Sequence, residues 1–206
     1  MNVIVDYGLG NINSVQTALK KAGIETVITD DVGKIENAGF VLLPGVGAFR
    51  DAIGLLKEKG LDVAIKKFAE TGRPLVGICL GMQLLYEKSY EYGEYEGLGL
   101  ISGEIVKLEE EKKIPHMGWN NLKIKQDDEL FKYLKQDMYV YFVHSYYAKS
   151  SNDEMLAYTE YGETIPAIVR NKNVIGFQFH PEKSGQVGAN LLKALGEMIN
   201  DYISSN

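Results

Sequence analysis

The chain is poor in several residues and patterns that mark common classes of protein. Among its 206 residues it has one cysteine, three histidines and five prolines. A single cysteine excludes an internal disulfide, and no apolar run approaches the roughly 20 residues of a membrane-spanning helix. The histidines lie too far apart for paired metal ligands, so we expect no metal. Gly8 and Gly10 suggest a dinucleotide turn, but Asn13 replaces its third glycine, so we expect no cofactor.

Positive charge is also scarce. The chain has 22 basic and 28 acidic residues, a net charge of -6, and no basic cluster that could follow a phosphate backbone. We therefore expect no nucleic-acid partner. The single cysteine and the lack of a membrane-spanning run lead us to expect no membrane partner and a cytoplasmic location. Hydrophobic residues make up 45% of the chain, which suffices for one packed core, and we expect a single domain over residues 1–206.

The order of apolar and helical segments predicts an α/β fold. Strand-like segments (residues 2–6, 25–29, 40–43 and 74–78) alternate with helical ones (residues 12–22, 49–59 and 61–71). This order favours an open, mostly parallel central sheet flanked by helices, with the active face at the carboxyl edge of its strands.

The second half of the sequence predicts a mixed or antiparallel β extension. We expect residues 100–108 and 114–125 to be strands around a charged turn, and residues 138–148 and 165–179 to be β-rich as well. Residues 185–203 have the periodicity of a helix. The acidic and tyrosine-rich residues 87–96 are expected to form a solvated loop.

The most informative segment is residues 77–83 (Gly-Ile-Cys-Leu-Gly-Met-Gln), between a strand and a helix. Cys79 has glycine two residues away on each side, which is the nucleophile elbow G-x-S-x-G with sulfur in place of oxygen. The glycines permit a turn sharp enough to present the thiol where the positive end of the next helix favours a thiolate. A lone cysteine is most often a small buried residue; the elbow makes this one a candidate nucleophile.

A second segment, residues 176–182 (Gly-Phe-Gln-Phe-His-Pro-Glu), supplies a base and an acid. His180 and Glu182 are two residues apart and point the same way if the backbone is extended. A carboxylate bonded to one imidazole nitrogen leaves the other nitrogen to face a thiol. Cys79, His180 and Glu182 are therefore a candidate Cys-His-Glu triad.

Two further features surround the candidate nucleophile. The backbone N–H of Leu80 is a natural donor to an oxyanion, and the loop of residues 44–47 (Pro-Gly-Val-Gly) can turn its amides toward the same place. Gln83 lies one helical turn after Cys79, where it can hydrogen-bond a polar substrate. The plainer alternatives are an ordinary glycine turn and a solvent-facing glutamine.

Together these residues resemble the signatures of the triad (class I) glutamine amidotransferases. The resemblance runs the length of the chain and implies the flavodoxin-like α/β fold of that family. Further segments resemble its histidine-pathway branch, the glutaminase subunits of imidazole glycerol phosphate synthase. They are residues 6–11 (Asp-Tyr-Gly-Leu-Gly-Asn), 115–120 (Pro-His-Met-Gly-Trp-Asn), 142–146 (Phe-Val-His-Ser-Tyr) and 182–184 (Glu-Lys-Ser).

The resemblance implies hydrolysis of L-glutamine to glutamate. Cys79 would attack the side-chain amide, His180 would protonate the departing ammonia, and water would then cleave the cysteinyl thioester. Glu182 would orient His180. By the same resemblance the oxyanion is held by Val46, Gly47 and Leu80. The glutamine-binding positions are Gln83, Ser145 and Tyr146.

The resemblance also implies a partner protein. In that branch ammonia passes to a cyclase subunit, a (β/α)₈ barrel that forms a heterodimer with the glutaminase and makes imidazole glycerol phosphate and an aminoimidazole carboxamide ribotide. The chain ends soon after Glu182, so we expect the acceptor chemistry in trans, with the acceptor docked over the site to keep ammonia from water. The implied contact positions are Asn11, Trp119, Asn120, Tyr141 and Lys183, the last two beside the ammonia exit. For Trp119 a core position is the alternative.

Three other functions share some of these features. Glutaminase subunits of anthranilate or aminodeoxychorismate synthase carry the same triad, although residues 115–120 argue against them. A cysteine hydrolase that cleaves amides or peptides without a partner also uses such an elbow. A non-enzymatic binding subunit would keep the fold alone, and the complete set of triad residues counts against it.

Overall fold

The structure, a computed structural model, describes residues 1–108, 113–135, 138–150 and 153–205. The helices within these residues are α1 (Ile12–Lys21), α2 (Val32–Glu36), α3 (Phe49–Glu58), α4 (Leu61–Glu70), α5 (Leu80–Leu84) and α6 (Gly185–Ser205). The strands are β1 (Asn2–Val5), β2 (Thr26–Thr29), β3 (Phe40–Leu43), β4 (Leu75–Ile78), β5 (Tyr86–Ser89), β6 (Tyr95–Glu96), β7 (Ile101–Lys107), β8 (His116–Asn121), β9 (Lys123–Ile124), β10 (Tyr139–His144), β11 (Tyr146–Ser150), β12 (Met155–Tyr161), β13 (Glu163–Asn171) and β14 (Val174–Phe177).

The central sheet has eight strands in the order β2-β1-β3-β4-β14-β13-β12-β9. The first five are parallel, and β13, β12 and β9 extend the sheet in antiparallel fashion. Every residue of β3 and β4 is buried, because helices cover both faces of a parallel sheet and leave its central strands no solvent side. The predicted α/β class is confirmed.

Alternate residues of the parallel strands enter two separate cores, one on each face of the sheet. In β1, Val3 and Val5 join the core under α3 and α4, whereas Ile4 joins the core under α1 and α6. This division follows from the two-residue period of a strand. No helix in the described parts of the chain is long and apolar enough to cross a membrane.

The second half contributes two smaller sheets, one of four strands in the order β11-β7-β5-β6 and one of two strands, β10 and β8. We refer to the pair β8 and β10 as the β8–β10 ribbon; it is antiparallel, with Trp119 opposite Tyr141. The antiparallel strands expected in the second half are therefore present, although β5 runs parallel to β7.

Strand pairing in this region joins segments far apart in the chain, which the sequence pattern did not specify. The strands flanking the charged turn do not pair with each other, because β7 pairs with β5 and β11 while β8 pairs with β10. Residues 114–125 also divide between two sheets, since β9 pairs with β12. Sequence pattern identifies a strand but not its distant partner, which depends on packing. Residues 109–112 of the expected turn lie outside the described residues.

The prediction of a solvated loop over residues 87–96 was wrong in part. Strands β5 and β6 occupy both ends of this segment, and Glu91 between them is buried. The Glu91 carboxylate accepts a hydrogen bond from the Phe49 backbone N–H (2.7 Å), the first amide of α3. A helix start needs such acceptors, so tertiary contact removes this charged side chain from solvent.

Candidate active site

The nucleophile elbow joins β4 to α5. Cys79 has φ 55° and ψ -113°, a backbone conformation that residues other than glycine rarely adopt, and its N–H donates to the Phe177 carbonyl (2.7 Å). The flanking glycines allow the close approach on which this turn depends. A Cβ on Gly77 would lie 2.6 Å from the Gly81 carbonyl oxygen, and a Cβ on Gly81 would lie 1.9 Å from the Leu43 carbonyl oxygen. Such strain is typical of functional sites.

The neighbouring strand β14 brings the candidate base to the elbow. Because β14 runs parallel to β4, both strands end at the same edge of the sheet, and His180 follows three residues after the end of β14. His180 and Glu182 are joined by an Nδ1 to Oε1 contact of 2.7 Å, with side chains only 4% and 1% exposed. The backbone N–H of His180 donates to the Tyr141 carbonyl (3.1 Å) and does not involve the ring. His180 Nδ1 is therefore committed to Glu182, which leaves Nε2 for other contacts.

The electrostatic environment favours a charged His180. Burial lowers the pKa of His180, but its hydrogen bonds to Cys79 and Glu182 and the charges of those groups raise it to about 9. An imidazolium at neutral pH can donate a proton to a departing amine, and the Glu182 carboxylate stabilises that charge.

Two backbone segments, the start of α5 and the loop after β3, meet beside Cys79. Leu80 is the first residue of α5, so its N–H has no acceptor within the helix. The loop after β3 reaches the same place because β3 is the other neighbour of β4. Its Gly45 lies so close to the elbow that a Cβ there would be 2.9 Å from the Gly81 nitrogen, and Gly47 has φ +95°. Val46, Gly47 and Leu80 all line the pocket with Cys79, so their backbone amides are the candidates for an oxyanion hole.

A pocket of about 370 Å³ opens over Cys79. The sequence-predicted residues that line it are Val46, Gly47, Cys79, Leu80, Gln83, Ser145, Tyr146, His180 and Lys183. Glu91 and His144, which the sequence did not indicate for this role, line it as well. The Gln83 amide nitrogen donates to the Tyr146 carbonyl (2.9 Å) and to Gln178 Oε1 (3.1 Å), so both its hydrogens are used and its carbonyl oxygen is left for a ligand.

Glu91 adds a carboxylate to the wall of this pocket. Burial raises the pKa of Glu91, while the hydrogen bond from Phe49 lowers it. A buried carboxylate that lines the same pocket as Gln83 is suited to bind a ligand ammonium group. The pocket thus combines a thiol, an oxyanion site and a place for a cationic substituent, which are the requirements for acyl transfer from an amino-acid amide.

Comparison with known proteins assigns the family. The family model "Glutamine amidotransferase class-I" matches residues 3–195. The chain belongs to the class-I glutamine amidotransferase family. Its relatives include the imidazole glycerol phosphate synthase subunit HisH of Carboxydothermus hydrogenoformans, which is 58% identical over 97% of this chain and 100% of the relative. The subunit HisH of Oceanobacillus iheyensis is 50% identical over the same shares.

Solved structures with low sequence identity share the family fold. A glutamine amidotransferase crystal structure aligns with a TM-score of 0.74 at 20% identity, covering 98% of both chains. PurLQS from Thermotoga maritima aligns with a TM-score of 0.73 at 22% identity, again covering 98% of both chains. The α/β architecture is therefore retained where most of the sequence has changed.

The residues assigned to a partner contact lie outside the pocket, with the exception of Lys183. Asn11 is exposed at the start of α1, and Trp119 is 57% exposed on the β8–β10 ribbon, so the core alternative for Trp119 is wrong. The Trp119 and Tyr141 rings meet edge to face with centroids 6.1 Å apart. Asn120 points to the other side of the ribbon, where its side chain contacts His116 (3.2 Å).

Sequence reasoning missed Glu91 and the contact between His116 and His144. Glu91 was treated as one of many charges in a loop, and the two histidines were considered as metal ligands and as parts of segments that resemble the family, without a contact between them. Within the described residues no group of three His, Cys, Asp or Glu side chains is arranged to hold a metal ion. The sequence offered one signal for the histidine contact, the segment Pro-His-Met-Gly-Trp-Asn. No local pattern in that segment explains why its histidine is buried.

Proposed function

We propose that this chain is the glutaminase subunit of an imidazole glycerol phosphate synthase, which hydrolyses glutamine and passes the ammonia to a cyclase subunit. The observation that carries the proposal is the bonded pair His180 and Glu182 beside the Cys79 elbow, at a pocket that the Glu91 carboxylate also lines. Relatives at 58% and 50% identity with that synthase name support the pathway.

The first half-reaction forms a thioester. The thiol proton of Cys79 passes to His180 Nε2, which gives the charged His180 that its raised pKa favours, and the sulfur attacks the side-chain carbonyl carbon of glutamine. The tetrahedral oxyanion lies against the Leu80 amide and the Val46–Gly47 segment. The His180 imidazolium then gives its proton to the nitrogen, the C–N bond breaks and ammonia leaves.

The second half-reaction restores the thiol. Neutral His180 takes a proton from water, whose oxygen attacks the thioester carbonyl. When the C–S bond breaks, glutamate leaves and the sulfur recovers its proton from His180. Glu182 keeps Nδ1 protonated and fixes the ring through both steps.

Glutamine is held by both ends of the molecule. In this proposal the α-ammonium group lies against the Glu91 carboxylate and the Gln83 carbonyl oxygen, and the segment Ser145 to Tyr146 provides further polar contacts. Only a substrate with an amino-acid head and a side-chain amide of the right length reaches both Glu91 and Cys79. The small size of the pocket, about 370 Å³, favours a free amino acid over a peptide.

We expect Glu91→Gln to raise KM for glutamine about tenfold or more and to change kcat less than threefold, because a charge-assisted contact in the ground state is lost. Glutamine at this position retains an oxygen that can accept the Phe49 N–H bond. The matched control is Glu94→Gln, an exposed residue of the same segment. Steady-state kinetics check the prediction, and equal KM values for the two variants would contradict it.

We expect Glu182→Gln to lower kcat/KM about a hundredfold at neutral pH. Because the Glu182 charge raises the pKa of His180, its removal should move the titration of His180 from about 9 to lower pH. Histidine NMR titration and pH–rate profiles measure the two effects, with the exposed Glu70→Gln as control. An unchanged His180 titration would show that Glu182 does not set the charge of the ring.

An exposed apolar face supports a partner beside the pocket. Met117, Trp119 and Tyr139 are 62%, 57% and 52% exposed and lie on one face of the β8–β10 ribbon together with Tyr141. Val143, two residues after Tyr141, lines the pocket, so this face continues to the pocket mouth. We propose that it docks on the (β/α)₈ barrel of the cyclase in a heterodimer, with Asn11 and Asn120 at or near the contact and Tyr141 and Lys183 beside the ammonia exit.

The deciding experiment measures glutamate released from glutamine by the chain alone, with a purified histidine-pathway cyclase, and with cyclase plus its nucleotide ligand. Strong stimulation by cyclase and ligand, absent in Cys79→Ala, is the expected result. Turnover that depends on Cys79 but is not changed by the cyclase would support glutaminase activity and contradict the histidine-pathway assignment. No turnover under any condition would favour a binding subunit without activity.

The domain organisation and the cellular location of the protein can be tested separately. We propose that residues 1–206 form one domain, which resistance of the whole chain to limited proteolysis would support. A catalytic thiol must stay reduced, which favours the cytoplasm; fractionation of cells that express the protein tests this.

A further inference from the structure

A chain of hydrogen bonds crosses the protein interior from the β8–β10 ribbon to the pocket. Asn120 Nδ2 lies 3.2 Å from His116 Nε2, His116 Nδ1 lies 2.9 Å from His144 Nε2, and His144 Nδ1 lies 2.9 Å from the Tyr146 carbonyl oxygen. His116 and His144 face each other across the ribbon and are buried. The mechanism above uses neither histidine.

The groups at the two ends of this chain of hydrogen bonds determine where each proton lies. At one end, the Asn120 side-chain oxygen accepts from the Asn121 N–H (2.8 Å) and its nitrogen donates to the Glu160 carbonyl (3.2 Å). The nitrogen therefore faces His116, whose Nε2 must be an acceptor. At the other end the Tyr146 carbonyl can only accept, so His144 Nδ1 must carry a proton.

With both ends determined, one arrangement satisfies the middle. His116 carries its proton on Nδ1 and donates to the bare Nε2 of His144. A second proton on His144 would face the His116 N–H, and a second proton on His116 would face the Asn120 amide hydrogens. Burial agrees with this geometry, since it lowers the pKa of His116 to about 4 and that of His144 to about 3.

Ring packing holds His116 in its orientation. The imidazole stacks on Phe142 with centroids 4.7 Å apart and on Tyr161 with centroids 4.0 Å apart. Both stacks are nearly parallel, with interplanar angles of 20° and 18°. A ring fixed in this way directs its Nδ1–H at His144.

The chain of hydrogen bonds ends at Tyr146 and Gln83, which line the pocket. The Tyr146 carbonyl accepts from His144 and also from Gln83 Nε2 (2.9 Å). That bond, together with the bond to Gln178 (3.1 Å), turns the Gln83 carbonyl oxygen away from these partners. Displacement of the Tyr146 carbonyl would therefore release the Gln83 amide.

We propose that His116 and His144 are positioning residues, which hold the Tyr146 carbonyl and thereby orient Gln83 for glutamine. The inference rests on the proposed function only in naming glutamine as the ligand. Neither histidine touches the reacting atoms in this role. Their loss should weaken glutamine binding more than it slows the chemical step.

The test compares two variants of His116. His116→Phe keeps a ring that can stack but loses both hydrogen bonds, whereas His116→Asn loses the ring but keeps an N–H close to the position of Nδ1. In the complex with the cyclase we expect KM for glutamine to rise about tenfold in His116→Phe, with kcat within threefold, and to rise less than threefold in His116→Asn. A rise in both variants, or in neither, would overturn the proposal.

Long-range ¹⁵N NMR of the histidine side chains provides a readout that needs no turnover. In the wild-type protein at pH 7 we expect both His116 and His144 to be neutral with the proton on Nδ1. A proton on Nε2 of His144 would overturn the proposal whatever the kinetics show. If the wild-type complex releases no glutamate, the proposed function fails, and this spectrum decides the hydrogen-bond chain by itself.

Discussion

Cys79→Ala is expected to reduce glutamate release from glutamine to the uncatalysed background, a loss on the order of 10⁶-fold. Alanine leaves no atom that can form the thioester, and the sequence offers no second cysteine. Thermal unfolding should change little, since the substitution removes one largely buried sulfur. Residual turnover well above background would mean that another group attacks the amide.

The same variant separates the two activities of the proposed complex, glutamine hydrolysis and the use of ammonia by the cyclase. With the cyclase, its nucleotide ligand and added ammonium salt in place of glutamine, we expect Cys79→Ala to support product formation at the wild-type rate. The acceptor chemistry needs ammonia and does not need the thioester. Cys79→Ser is the matched control, because it replaces the reactive thiol with a hydroxyl group of similar size. Loss of the ammonia-dependent rate in Cys79→Ala would indicate damage to the docking face instead.

Gly81→Ala is expected to lower the free energy of unfolding by about 4 kcal/mol and to leave little folded protein. Its Cβ would lie 1.9 Å from the Leu43 carbonyl oxygen and 3.2 Å from the Pro44 carbonyl carbon. Both atoms are backbone, so relief requires β3 or the elbow to move, and β3 is buried throughout. Urea unfolding followed by circular dichroism measures the change.

Gly54→Ala is the control for that substitution. Gly54 lies inside α3, and a Cβ there meets no atom within 4 Å. Alanine should therefore stabilise the protein by up to about 1 kcal/mol through its helix propensity. If both alanine variants unfold at the wild-type urea concentration, the close approach at the elbow is not a constraint on stability.

The candidate catalytic residues could be named from the sequence because each depends on short-range order. The glycines two residues from Cys79 and the spacing of His180 and Glu182 are local patterns with a direct physical meaning. The burial of β3 and β4 could also be predicted, because continuous apolar runs are typical of strands that are covered on both faces. Such features need no knowledge of distant contacts.

Glu91 shows where this kind of inference stops. Its neighbours Tyr90 and Tyr92 are exposed, and nothing in the local sequence separates it from the other acids of the segment. Its burial depends on Phe49, 42 positions earlier in the chain. Contacts of this kind form only when the segment between β5 and β6 packs beside the start of α3, so the tertiary structure alone places Glu91 in the pocket.

The sequence by itself determined the fold class, the nucleophile elbow and the candidate Cys-His-Glu set, because the periods of strands and helices and the geometry of a turn are local properties of the chain. Only the tertiary structure decided which strands of the second half pair, that Trp119 is exposed, and that His116 meets His144. These outcomes depend on strand register and on packing between residues far apart in the chain, where a one-residue slip would turn the opposite face inward.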